Sequence, residues 1–120
     1  MLVETPLCLP AFFTLAGTGP GEGCVIERSQ TRAAVREMPA AIANHWTALP
    51  ESGRPRGIQS RRRHLLMEEM VASGGDRLIS PILNRCTRLT AEMNPANGHL
   101  EAQGWERGGL VTAPFNLVLQ

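Results

Sequence analysis

The chain has no lysine and no tyrosine; all twelve of its permanently basic side chains are arginine. Aromatic residues make up 4% of its 120 residues. A core with so few rings must rest on Leu, Ile, Val, Met and Ala, because rings carry the largest share of apolar burial. Without lysine there is no phosphate loop of the kind whose lysine reaches the terminal phosphates of a nucleotide. Cys8, Cys24 and Cys86 are odd in number and far apart, and no C-x-x-C or H-x-x-x-H pair occurs. Structural zinc templates are therefore unmet, and free thiols in a reducing compartment are expected. No uninterrupted apolar run reaches the ~20 residues of a membrane-spanning helix. The opening stretch "MLVETPLCLPAFFTLAG" is apolar, but Glu4, Pro6 and Pro10 break the pattern of a secretory signal. These absences point to a cytoplasmic chain with no metal and no cofactor.

What is present is mostly local. The net charge is +1, which gives no whole-molecule attraction to nucleic acid or membrane. Yet "RPRGIQSRRR", residues 54–63, holds five arginines and no acid. Arg54, Arg56, Arg61, Arg62 and Arg63 are the candidate anion- or RNA-binding residues, since guanidinium groups bind phosphates and carboxylates. No aromatic residue interleaves them to stack bases, so nucleic acid is the lesser expectation and a solvated basic stretch the greater.

Spacing suggests a mainly α fold: a small, loop-rich, partly disordered helical domain. Val35, Met38, Ile42, Trp46 and Leu49 recur at steps of three and four, which predicts helix over 31–49, broken at Pro39. Ser60 is placed to cap a helix over 61–73, with Leu66, Met67, Met70 and Val71 on one face and Gly74 ending it. Ser80 and Pro81 look like a helix start, and Ile82, Cys86, Leu89 and Met93 recur behind them, which predicts helix over 80–94. Residues 1–30 read as an extended, loop-like segment with short strands at "FFTLA" and "CVIE". Residues 50–60 read as a linker within a helical region 31–94. Residues 95–120 read as a flexible tail with room for one short strand, which Pro114 would keep at an edge.

Candidate catalytic residues do not emerge. His45, His64 and His99 fall on different elements, with His64 and Glu68 spaced to pair on one helix face. Asp76 sits in a glycine turn. Cys86 falls on the predicted apolar stripe, where a thiol is inert. The stretch "LAGTGPGE" resembles the first glycine-rich loop of the tetrapyrrole methylases, which bind S-adenosylmethionine, and "DRLISPIL" resembles a segment that follows it there. The resemblance covers about 16 residues and implies a methylase remnant with Gly17, Gly19 and Gly21 as the loop glycines. Against it, glycines in such a cluster also simply turn the chain. The principal expectation is a non-enzymatic interaction protein that meets a partner or a second copy of itself through Leu- and Met-rich helix faces. A reading frame with no evolved activity is the companion expectation.

Overall fold

A computed structural model describes residues 2–51, 55–75 and 79–118. The fold is mostly β. Among the described residues, seven strands and one helix follow in the order β1 (Ala11–Ala16), β2 (Gly23–Arg28), β3 (Ala33–Glu37), α1 (Ser60–Ser73), β4 (Leu89–Asn94), β5 (His99–Glu106), β6 (Gly109–Leu110) and β7 (Phe115–Val118). The strands form two antiparallel sheets. The first has the order β1-β2-β3; in the second, β5 pairs β4 along one edge and β6 and β7 along the other. Among the described residues, no Cα of one sheet's strands lies within 8 Å of the other sheet's, nor does any Cα of α1 approach a strand that closely.

This corrects the mainly α expectation. Of the three predicted helices, only the one over 61–73 is present. The segment predicted helical over 31–49 opens with β3, where Val35 lies opposite Ile26. Beyond it, the amide groups of Thr47, Ala48 and Leu49 donate to the Glu27 carboxylate instead of to helical carbonyls. Side-chain acceptors compete with helical hydrogen bonds in this way, and here the competitor wins.

The 80–94 helix is replaced by a loop and β4. Asn84 organises the loop: its Oδ1 accepts the Cys86 amide at 2.9 Å, and its own amide donates to Thr87 Oγ1 at 3.0 Å. From Leu89 onward the apolar residues alternate with polar ones, the period of a strand with two unlike faces. Residues 95–120, expected as a tail, include β5, β6 and the described part of β7.

The first sheet is covered on both faces. β2 is its middle strand, and Val25, Ile26, Glu27 and Arg28 are all buried. Successive residues point to opposite faces, so Glu27 and Arg28 are buried on opposite sides. Arg28 donates to the carbonyls of Val3 and Thr5, which holds the N-terminal segment over one face. Glu27 holds residues 47–49 over the other, where Trp46 meets Phe12 edge-to-face at 4.9 Å.

α1 ends where its glycine requires. Gly74 takes a left-handed φ of 68°, and the Gly75 amide returns to Met70 O at 2.8 Å, the usual closure at a glycine. Its start differs from expectation. Ser60 makes no capping bond; Gln59 holds the cap position with φ 46°.

The register makes a prediction that separates this fold from a helical one. Ile26→Ala empties a buried site and is expected to cost about 2–5 kcal/mol in denaturant titrations. Leu89→Ala touches a side chain that is 66% exposed, so its cost is expected to stay within about 0.5 kcal/mol. The reverse ranking would mean that Leu89 sits in a core.

Candidate functional site

A cluster of ionisable groups joins the first sheet to α1. Glu27 anchors it. Its side chain is fully buried, and the Thr47 hydroxyl donates to it along with the amides of residues 47–49. Burial alone raises a carboxyl pKa. The bonds from Thr47's hydroxyl and from the three amides outweigh that here and hold Glu27 below its ordinary 4.5. Arg36 Nε lies 3.8 Å from Glu27 Oε1, too far for a hydrogen bond but close enough for attraction. Its other nitrogens reach Ala41 O and, at 3.3 Å, Glu68 Oε1 on α1. The same Glu68 oxygen lies 3.1 Å from His64 Nε2. The expected His64–Glu68 pair is therefore present, with Arg36 as a third member.

A second link lies beside it. Ser60 Oγ accepts the Asn44 amide at 2.8 Å and sits 2.9 Å from His45 Nδ1. With one amide already donating to its oxygen, the hydroxyl is free to donate to a neutral imidazole. Burial, then the charges of His64, Arg61 and Arg63, keep the His45 pKa below its ordinary 6.5. The His45 and His64 rings meet edge-to-face at 5.2 Å. These two histidines share no element; the loop that Glu27 captures brings them together.

A serine bonded to a histidine has the form of a nucleophile and its base. Ser60 is only 3% exposed, so the contact as it stands joins the helix start to residues 44 and 45 and offers no hydroxyl to a substrate. Among the described residues, no three His, Cys, Asp or Glu side chains are placed to hold a metal ion.

The basic stretch divides. Arg54 lies outside the described residues. Arg56, Arg61 and Arg62 are exposed. Arg63 turns inward, its Nε donating to Ile58 O at 2.8 Å and its Nη2 to Asn44 Oδ1 at 2.6 Å. The run is therefore not one patch. Arg63 lines an open cleft of about 610 Å³ that also contains Asn44, Ile58, Asn84, Cys86 and Arg88. Arg88 carried no signal in the sequence, and Cys86 is exposed rather than buried in a stripe.

The glycine-rich loop is a hairpin connection. The Gly17 amide donates to Glu22 O at 2.8 Å, and Glu22 Oε2 accepts the Gly19 amide at 2.9 Å. The loop's own carboxylate takes the amide that a bound anion would need. The following element is the antiparallel strand β2, not a helix whose N-terminus would face a ligand. "DRLISPIL" begins at Asp76, and its first three residues lie outside the described ones.

Compared with known proteins, the chain matches no family model, no curated protein and no solved structure. No helix of the described residues is long and apolar enough to cross a membrane.

The cluster predicts how stability depends on pH. A group whose folded pKa is depressed contributes stability above its unfolded pKa, and loses it as pH falls toward the folded value. Both His45 and Glu27 are of this kind. Denaturant midpoints should therefore fall as pH drops below about 6.5, through His45, and fall again below about 4.5, through Glu27. His45→Asn keeps an acceptor for Ser60 and should remove the upper step alone. A midpoint flat from neutral pH to 4.5, the ordinary carboxylate value, would contradict the histidine assignment.

Proposed function

We propose that the chain is a small non-enzymatic interaction protein whose working surface is one face of the second sheet, and that its occupant is a second copy of the same chain. The observation that carries this reading is the composition of that face. Residues paired across antiparallel strands share a face. The register therefore groups Leu89, Ala91 and Met93 of β4 with Leu100, Ala102 and Gly104 of β5 and with Phe115 and Leu117 of β7. None of them is polar. Four of the five large ones stay open to solvent: Leu89, Met93 and Phe115 are each more than 60% exposed, and Leu117 is 39% exposed, while Leu100 in the central strand is half-buried.

The opposite face holds Thr90, Glu92, Glu101, Gln103 and Trp105, and a smaller cleft of about 260 Å³ lined by these residues and Leu83 lies over it. The Trp105 ring nitrogen donates to Thr90 Oγ1 at 2.9 Å. The sheet thus turns its polar face toward its own loop and its apolar face outward. A contiguous apolar surface of this kind favours a partner.

Two arguments select a second copy. The face carries no charge, so two copies meet on it without stripping water from an ion, and a charged partner would find no complementary group. The area also fits. Three strand positions about 4.8 Å apart and about 20 Å long give roughly 300 Å² per face. Stable complexes bury ~800 Å² per partner. Stacking of two such faces is therefore weak and reversible, which allows the chain to exist as a monomer at low concentration. Pairing along the free edge of β4 would leave the apolar face uncovered and gain less.

This reading relocates the expected Leu- and Met-rich surface from helices to a sheet. On α1, Leu66, Met67 and Met70 are half-buried, so less of that stripe is free.

Sedimentation across a wide concentration range tests it. The average mass should rise reversibly with concentration, with a dissociation constant of roughly micromolar or weaker, as expected for so small an interface. Met93→Glu and Phe115→Glu should each remain monomeric over the same range with unchanged far-ultraviolet dichroism. A wild-type chain that stays monomeric throughout, or charged variants that associate as well as wild type, would end the reading.

A further inference from the structure

We propose that the cleft between Arg63 and Arg88 binds a small organic anion, a carboxylate on an apolar body. The cleft brings together the start of α1, the loop before β4 and the first residues of β4. Its volume of about 610 Å³ falls within the range of small-molecule sites, about 300–1,000 Å³.

Its charge is one-sided. Among the described residues, Arg63 and Arg88 are its ionisable lining besides the Cys86 thiol, and no acid lines it. Among the described residues neither arginine has a carboxylate partner; Glu68 of α1 is engaged by Arg36 and His64. Two guanidinium groups in one concavity repel each other, and an anion between them removes that cost.

Both guanidiniums are held in place. Arg63 spends donors on Ile58 O and Asn44 Oδ1. Arg88 Nη1 donates to Arg85 O at 2.9 Å and to Thr87 O at 3.1 Å. A guanidinium has five N–H donors, so each keeps donors for a ligand after its side chain has been fixed. That is preorganisation, which lowers the entropy lost on binding. Arg suits a carboxylate because its fork can bond both oxygens at once.

The remainder of the lining sets the class of ligand. Ile58, Ile82, Leu83 and Leu89 supply apolar wall. A bare inorganic anion would leave that wall wet. A chain- or ring-bearing carboxylate would cover it while its head group meets the arginines.

Octanoate is the probe, followed by amide shifts in a proton–nitrogen correlation spectrum, at concentrations where sedimentation finds the chain monomeric because Leu89 borders both surfaces. Saturable shifts at Ile58, Leu83 and Thr87 are expected. Arg88→Gln alters an exposed residue, keeps the fold by the same spectrum, and should weaken binding by roughly tenfold or more through loss of a charge-assisted bond. Arg63→Gln should do the same, though Arg63 also supports the loop, so Arg88→Gln is the deciding variant. Arg62→Gln, outside the cleft, should leave affinity unchanged. Inorganic phosphate should bind more weakly than octanoate, and neutral octanol should not saturate these sites. The proposal is overturned if octanoate gives no saturable shift, if Arg88→Gln binds as wild type, if phosphate binds as tightly as octanoate, or if octanol does.

Discussion

Two adjacent charges at the end of β2, the middle strand of its sheet, organise the first half of the molecule. Glu27 and Arg28 point to opposite faces of the sheet and both are buried. A buried charge costs several kcal/mol unless its bonding capacity is met. Glu27 meets it with the Thr47 hydroxyl and the amides of residues 47–49, and Arg28 meets it in part, its terminal nitrogens donating to the carbonyls of Val3 and Thr5 while its Nε keeps no partner among the described residues. A chain poor in rings thus covers its sheet with straps fixed by polar anchors, where other small proteins would use large aromatic side chains. The neighbouring apolar residues Val25, Ile26 and Leu49 are buried in the same arrangement.

The consequences extend from Glu27 outward. Holding residues 47–49 fixes the loop that precedes them, and with it Asn44 and His45. Those two residues receive Ser60 and Arg63 from α1. The helix backbone stays clear of the strands, so it is attached through side chains, these links and Arg36 to Glu68 among them. The inward turn of Arg63 also gives the larger cleft one of its two charges. Loss of the Glu27 contacts would therefore be felt at the histidine pair and at the cleft, not only in the first sheet.

The second sheet has the opposite character. Its polar face is turned to its own loop, and most of the large apolar side chains on its other face are exposed. This sheet lies where spacing predicts a helix over 80–94 and a flexible tail over 95–120, although part of it is legible in the alternation of residues. The residues Leu89, Ala91 and Met93 alternate with Thr90, Glu92 and Asn94, which is a strand pattern. The competing helical spacing of Ile82, Cys86, Leu89 and Met93 fits equally well by period alone, and Asn84, whose side chain takes over the Cys86 amide, decides against it. The strands at "FFTLA" and "CVIE" and the stop at Gly74 followed from composition and turn chemistry. The helical stripe from Val35 to Leu49 misled because its residues are shared between a strand face and a strap, an arrangement that only the partner Glu27, twenty residues upstream of Thr47, makes favourable. Arg63 and Arg88 are also distant in sequence, and nothing in their local surroundings marks them as neighbours of one cleft.

The claim on which this account most depends is that the Glu27 carboxylate holds the amides of Thr47, Ala48 and Leu49. Native-state hydrogen exchange reads those three amides individually. The account predicts that they exchange slowly, with protection comparable to the β2 ladder amides of Val25 and Ile26, and that Glu27→Ala releases all three together. Exchange at the rate of an unstructured peptide in the wild-type chain would contradict it, because the strap would then be unheld and the histidine pair, the helix attachment and the cleft would lose their common support.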